Sequence, residues 1–169
     1  MSTATIRPAT VEDAWPIAEV NVRSWQSAYQ GLLPELYLRD LSVECRAGRW
    51  QRVLADPANR DDVLVLVEDG SLLGFTAVDR IRGELRAIYL EPERWGTGLG
   101  RLLLDTAVAA LRDSGHREAT LWVLDSNERA RRFYSAAGWM PDGAKKTDTM
   151  PGEDVPLSEV RYRIRLVSG

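Results

Sequence analysis

The segment Arg94-Trp95-Gly96-Thr97-Gly98-Leu99-Gly100-Arg101 restricts the fold of this chain more than any other feature. Its three alternating glycines leave backbone N–H groups unshielded by side chains, and the apolar run 102–104 of an amphipathic helix follows at once. The first N–H groups of a helix have no intrahelical partner, and the helix dipole places partial positive charge at the same end. The segment therefore predicts a loop between a strand and a helix that binds a diphosphate.

Two familiar phosphate-binding loops match this segment less well. A dinucleotide-binding loop needs G-x-G-x-x-G in an opening β-α-β unit, but Arg101 stands where the third glycine is required and the segment lies past mid-chain. A P-loop needs Gly-Lys followed by Ser or Thr, which this segment lacks. An oxidoreductase that binds a dinucleotide through this loop is the weaker alternative.

Apolar spacing and turn residues predict a mixed α/β protein. Strands are expected at 5–8, 63–67, 72–78, 84–90, 119–123 and near 160–167. Helices are expected from 11 or 13 to 29, from 34 to 54 with interruptions, from 98 to 114 and from 127 to 137. Residues 142–156 are expected to form a polar loop. Hairpins before a β-α-β crossover predict one mixed sheet with helices on both faces.

Composition restricts the compartment and the partners. The 169 residues suit one domain, expected over 1–169, and no apolar run reaches the roughly 20 residues of a membrane span. Cys45 is the only cysteine and His116 the only histidine, so neither an internal disulfide nor a histidine-rich metal site can form. A net charge of −3 argues against nucleic acid as the main ligand. We expect a cytoplasmic protein with no metal, no nucleic acid and no membrane partner.

The glycine segment resembles the [Q/R]-x-x-G-x-[G/A] loop of the GNAT superfamily, the acyl-CoA-dependent N-acyltransferases, in its bacterial form. The glycines match, whereas Trp95 stands at the first position instead of Gln or Arg, and Arg94 lies one residue earlier. The resemblance implies a mostly antiparallel, splayed sheet and acetyl-CoA as the co-substrate, without a metal. It assigns the pyrophosphate contacts to the loop, at the residues Trp95, Gly96, Thr97, Gly98, Leu99, Gly100 and Arg101.

The strand before the loop, 84–90, is similar to the family's central strand, which carries a bulge and splays away from its neighbour. By position, the resemblance gives the Ile88 N–H a contact with the thioester carbonyl, and places Tyr89 and Leu90 along the pantetheine arm. Glu84 occupies a position where several family members carry a general base. The alternative for Glu84 is a solvated glutamate at the end of a strand.

The segment 127–134 looks like the family pattern N-x-x-A-x-x-x-Y. Asn127 is suited to cap a helix and to bond to the cofactor arm. The resemblance makes Tyr134 the acid that protonates the departing thiolate, for which a phenol is strong enough. The alternative is an aromatic core residue.

The acceptor side of the site is less defined by sequence. In the family, the region around Trp25 and Tyr29 forms one wall of the acceptor pocket, but these side chains could equally attach the helices to the core. Residues 145–154 are a candidate for the opposite wall, although a solvated loop is favoured. Cys45 has no feature of a nucleophile.

The sequence therefore predicts an N-acetyltransferase in which a primary amine of a small molecule or peptide attacks acetyl-CoA directly in a ternary complex. The acceptor is not identified, and a homodimer is compatible with the resemblance. A catalytically silent module that senses acyl-CoA is the alternative from another functional class.

Overall fold

The computed structural model describes residues 3–59, 61–149 and 155–166. Seven strands form one sheet in the order β1-β2-β3-β4-β5-β7-β6. Every neighbouring pair of these strands is antiparallel except β4 with β5, which is parallel. The strands are β1 (Thr5–Pro8), β2 (Asp61–Glu68), β3 (Ser71–Asp79), β4 (Glu84–Leu90), β5 (Glu118–Leu124), β6 (Met140–Thr149) and β7 (Pro156–Arg165).

The helices also follow the sequence pattern. A 3₁₀ turn at Val11–Asp13 precedes the first helix, so that Pro16 lies in its first turn, where a missing N–H costs nothing. The expected interruption of the second helical segment is real, because two helices with a break between them cover it. The helices are α1 (Ala14–Ala28), α2 (Glu35–Arg39), α3 (Val43–Ala55), α4 (Leu99–Asp113) and α5 (Glu128–Ala136).

Helices cover both faces of the sheet, as predicted. On one face, Ile17 of α1 packs with Phe75 of β3 and with Trp50 of α3. On the other face, Leu104 of α4 packs with Leu121 of β5 in a second cluster that also receives α5. Each fully buried side chain of this size stabilises the fold by about 1.5–3 kcal/mol. Within the described residues, no helix combines the length and the apolar character that a bilayer crossing needs.

The hairpin between β2 and β3 turns at Asp69 and Gly70, which both have positive φ values of 52° and 78°. Two consecutive positive φ values define the tight turn whose twist matches that of the flanking strands. Glycine adopts such a φ without steric cost, which explains its place at the tip of this hairpin.

The predicted polar loop at 142–156 is wrong for most of its length. Residues 140–149 form β6, and β7 begins at Pro156 instead of near residue 160. The sequence of β6 is polar because the strand lies at the edge of the sheet, and its strand conformation comes from pairing with β7. The part of the expected loop at 150–154, and the expected end of the last strand at Val167, lie outside the described residues.

Candidate active site

The parallel strands β4 and β5 separate along their length. Their register pairs involve only the first two residues of β4, Glu84 and Leu85, although β4 continues to Leu90 and β5 to Leu124. The register between β3 and β4 shifts so that Arg86 is an extra residue on β4. Such a bulge bends a strand and increases its twist. The two strands therefore enclose a wedge that opens toward their carboxyl ends.

A cavity of about 770 Å³ occupies this wedge, a size typical of small-molecule sites. Every predicted site residue except Thr97 and Leu99 lines it. The hydroxyl of Thr97 donates instead to the Arg94 carbonyl, and Leu99 packs into a hydrophobic cluster. The predicted residues that line it are Trp25, Tyr29, Glu84, Ile88, Tyr89, Leu90, Trp95, Gly96, Gly98, Gly100, Arg101, Asn127 and Tyr134.

One end of the cavity, which we call the loop half, consists of residues 95–101 and the start of α5. Gly96 and Gly98 have φ values of 76° and 89°, which side chains other than glycine rarely adopt. A Cβ added at either position would meet no atom within 4 Å, so the space in front of this backbone is open. Gly98 is the N-cap of α4, and its carbonyl accepts the first helical hydrogen bond, from Leu102 N at 3.1 Å. The unpartnered amides of the first turn thus begin at an open surface.

Trp95 is held against the protein by its indole ring. Its Nε1–H donates to the Leu90 carbonyl at 3.0 Å, and the ring joins the cluster around Leu90 and Leu103. The hydroxyl of Ser24 lies 3.1 Å from the same Leu90 carbonyl. The carbonyl of Leu90 is therefore engaged by the protein itself, which limits the contacts that this residue can offer a ligand.

Asn127 takes the capping position that the sequence predicts. It is buried, and its Oδ1 accepts a hydrogen bond from the Ala130 N–H at 3.1 Å. An asparagine cap satisfies one of the free N–H groups at the start of α5. Arg131 turns away from the cavity and donates to the Tyr162 hydroxyl and to Asp125.

Tyr134 lies at the junction between the loop half and the rest of the cavity. Its ring packs against Trp139 and Tyr162, with ring centroids 6.2 and 6.3 Å away. Burial raises the pKa of its hydroxyl well above the usual range, and the neighbouring Tyr89 raises it further, whereas Arg129 lowers it. The hydroxyl therefore stays protonated at neutral pH and acts as an O–H donor.

The other end of the cavity, which we call the aromatic half, is formed by Trp25, Tyr29, Trp122, Lys146 and Glu159. Trp25 of α1 and Tyr29, the residue that caps the end of this helix, contact edge to face, with ring centroids 5.0 Å apart. The Lys146 ammonium lies 4.6 Å from the centre of the Trp122 ring. Burial raises the pKa of Tyr29 well above the usual range, and the nearby Tyr89 contributes to the rise. This end is thus an aromatic chamber with charged groups in its wall.

Two carboxylates face the cavity without an ion pair. Within the described residues, neither Glu84 nor Glu159 has a basic group within 4 Å. Burial raises the pKa of Glu159, as do the nearby carboxylates Asp148 and Glu84, while Lys146 opposes the rise. Lys146 itself pairs with Asp148 at 3.4 Å. Glu84 and Glu159 are therefore the carboxylates that line this part of the cavity without an ion pair among the described residues, while the positive Arg46 stacks on the Trp25 ring, 4.4 Å from its centre.

Several lining residues were missed at the sequence level: Trp122, Arg129, Lys146, Leu157 and Glu159. Along β7, Val160 and Tyr162 are buried on one face of the sheet, and Leu157 and Glu159 lie on the opposite face. This alternation in the sequence is a signal that indicates which face Leu157 and Glu159 occupy. The sequence favours a solvated loop around Lys146 over the opposite wall of the acceptor pocket. The structure places Lys146 in the cavity wall.

No metal cluster is evident in this part of the molecule. Among the described residues, no group of three or more His, Cys, Asp or Glu side chains could hold a metal ion. His116 bonds through its ring to the Arg80 carbonyl, and Cys45 is exposed on α3.

Comparison with known proteins agrees with this geometry. The model of the acetyltransferase (GNAT) family matches residues 22–139. An uncharacterized N-acetyltransferase of Bacillus subtilis, YuaI, is 35% identical over 78% of this chain and 78% of its own length. A spermidine N(1)-acetyltransferase of Thermoplasma acidophilum is 26% identical over 85% of this chain and 92% of its own. The crystal structure of the PaiA N-acetyltransferase of the same organism, in complex with coenzyme A, has a TM-score of 0.73 at 25% identity and covers 96% of this chain and 99% of its own.

Proposed function

The chain belongs to the acetyltransferase (GNAT) family and is an acetyl-CoA-dependent N-acyltransferase, and we propose that it acetylates a primary amine held in the aromatic half of the cavity. The amine and acetyl-CoA bind together, and the amine attacks the thioester directly. The observation that carries this proposal is that one cavity joins an open glycine loop to Glu84 and Glu159, which have no ion pair among the described residues, past the half-buried Tyr134.

The residues of the loop half fit the carrier. Open space in front of Gly96 and Gly98 lets phosphate oxygens approach the backbone amides at the start of α4. Among the described residues, the backbone groups of β4 beyond Leu85 that face β5 have no strand partner, and apart from the Leu90 carbonyl, which Trp95 and Ser24 engage, they are available to the pantetheine arm. Bound acetyl-CoA supplies an activated acetyl thioester. In this arrangement the Ile88 N–H stabilises negative charge on the acyl oxygen.

Glu84 and Tyr134 are the proposed proton-transfer residues. An amine acceptor arrives as an ammonium ion and must lose a proton before it attacks. Glu84 lines the cavity without an ion partner, so its carboxylate is free to accept that proton, directly or through water. Tyr134 holds its proton at neutral pH because burial raises its pKa, and gives it to the departing sulfur.

The charge of the aromatic half favours a cationic acceptor. One carboxylate, Glu84, serves the reacting amine, and the second, Glu159, remains for another positive group on the same molecule. The Trp25 and Trp122 rings already face cations of the protein, Arg46 at 4.4 Å and Lys146 at 4.6 Å, so the preference for a cation rests on the two carboxylates. We therefore propose a diamine or polyamine as the acceptor class, and the similarity to a spermidine acetyltransferase supports it.

Thiol release tests the proposed function. The purified protein is mixed with acetyl-CoA and one amine at a time, with butylamine and butane-1,4-diamine as a pair matched in length. We expect amine-dependent thiol release, faster with the diamine, and a loss of about 10²-fold or more in kcat for Glu84→Gln. Tight coenzyme A binding without thiol release from any amine would favour the silent sensor. Equal rates of thiol release with the two amines would contradict the diamine or polyamine class of acceptor but would still support N-acetyltransferase activity.

A further inference from the structure

All but one of the cations that line the cavity have an acidic partner. Within the described residues, Arg129 has no carboxylate within 4 Å, although it lines the cavity at the start of α5. A cation with a carboxylate partner shares its N–H donors with that partner, whereas an unpaired cation has all of them left for a ligand phosphate. The paired cations are Arg86 with Asp61 (3.7 Å) and Asp79 (3.8 Å), Arg101 with Asp105 (2.9 Å), Arg132 with Glu128 (3.8 Å) and Lys146 with Asp148 (3.4 Å).

Arg129 is held by the residue that departs from the family pattern. Its guanidinium carbon lies 3.4 Å from the centre of the Trp95 ring, a close cation–π contact. Trp95 is itself fixed by its hydrogen bond to the Leu90 carbonyl. A guanidinium that stacks on a ring through one face keeps its N–H groups free around the edge. The stack therefore orients the Arg129 guanidinium and leaves its N–H groups available as hydrogen-bond donors.

The position of Arg129 directs it toward the glycine loop. It lies one helical turn before Phe133, so the two side chains share a face of α5. Phe133 contacts the loop, because a Cβ added at Gly100 would lie 3.5 Å from its ring. The Arg129 side chain as a whole is exposed, and the partial covering of its guanidinium lowers its pKa while Tyr134 opposes the fall.

We propose that Arg129, positioned by Trp95, is an anion subsite that binds a phosphoryl oxygen of the carrier. The subsite rests on the proposed function, because it assumes that coenzyme A occupies the loop half. The chain has no Gln or Arg at position 95, and Arg129 supplies the positive charge from α5 instead. Both the diphosphate and the 3′-phosphate of coenzyme A offer the same chemistry to a guanidinium.

Calorimetric titration tests this subsite without any turnover. Coenzyme A and 3′-dephospho-coenzyme A are each titrated into the unaltered protein, Arg129→Ala and Arg132→Ala. Arg132 is the matched control, because it lies on the same helix and lines the same cavity but already pairs with Glu128. We expect Arg129→Ala to weaken coenzyme A binding by about tenfold or more, and Arg132→Ala by less than about twofold.

The two ligands separate the two phosphate sources. A loss that persists with 3′-dephospho-coenzyme A assigns Arg129 to the diphosphate, and a loss that disappears assigns it to the 3′-phosphate. Unchanged binding in Arg129→Ala, or equal losses in both arginine variants, would overturn the subsite. If the unaltered protein itself does not bind coenzyme A, the proposed function fails, and this result differs from a failure of the subsite alone.

The positioning role of Trp95 has its own readout. Trp95→Ala should weaken coenzyme A binding about as much as Arg129→Ala, and the double variant should be no weaker than either single one. Trp95→Phe keeps a ring for stacking and should retain most of the affinity. Thermal unfolding of each variant identifies any general loss of structure. Additive losses in the double variant would show that the stack does not position Arg129.

Discussion

The two halves of the cavity are constructed differently. The loop half comes from two short stretches of chain, 95–101 and the first turns of α5, and among its described arginines only Arg129 lacks a carboxylate partner. The aromatic half combines side chains from α1, β5, β6 and β7, which are distant in sequence. The half that we propose for the carrier thus depends on backbone conformation, and the half that we propose for the acceptor depends on side chains that can vary independently.

Tyr134, at the junction of the two halves, should contribute to the rate of the reaction and not to binding in either half. Tyr134→Phe removes only the hydroxyl and leaves the ring packed against Trp139 and Tyr162. We expect kcat to fall by about 10²–10³-fold, because the departing sulfur loses its proton donor. Steady-state kinetics and calorimetry measure the two effects, and the dissociation constant of coenzyme A should stay unchanged. A normal kcat would exclude Tyr134 as the acid.

A backbone change should weaken the loop half alone. Gly98→Ala places a residue with a Cβ at a φ of 89°, which is strained. The backbone relieves this strain by rotating, and the rotation turns the N–H groups at the start of α4 away from the cavity. We expect coenzyme A to bind about tenfold more weakly, measured by calorimetry. Gly70→Ala is the control, because Gly70 has a similar φ of 78° and open space but lies in the β2–β3 turn. Equal affinities in the two variants would contradict the role of the loop.

A charge change should affect the aromatic half alone. Glu159→Gln removes one carboxylate, so we expect the KM for butane-1,4-diamine to rise by about tenfold while that for butylamine and the affinity for coenzyme A change little. Initial-rate kinetics with both amines measure the difference. Glu93→Gln, at an exposed site outside the cavity lining, is the control. An equal rise in KM for both amines would indicate that Glu159 does not bind a second cation.

The smallest expected effect is a pH dependence of that selectivity. Burial raises the pKa of Glu159, so its carboxylate gains a proton at a higher pH than an ordinary glutamate of pKa about 4.3. The negative charge is complete above this raised pKa and is lost as the pH falls through it. The ratio of kcat/KM for the diamine to that for the monoamine should therefore decline as the pH falls, and the decline should begin at a higher pH than an ordinary glutamate would give. A ratio that declines equally in Glu159→Gln would assign the effect to another group.

Local patterns predicted the helices and every strand except β6, because each depends on neighbours in sequence. The Asn127 cap and the helix that follows it could be predicted from a few adjacent residues. The strand β6 could not be predicted, because its residues are polar and only pairing with β7 makes them a strand. Lys146 and Glu159 became wall residues through that same pairing, in which they are register partners.

By itself, the sequence determined the glycine loop, since positive φ values and open amides at a helix start require glycine whatever surrounds them. It also determined the helices and every strand except β6, through apolar periodicity. Only the tertiary structure decided that Arg129 stacks on Trp95 and which of the described charges in the cavity lack an ion pair. Those outcomes depend on contacts such as Trp95 with Arg129 and Lys146 with Asp148, which form only after distant segments are packed together.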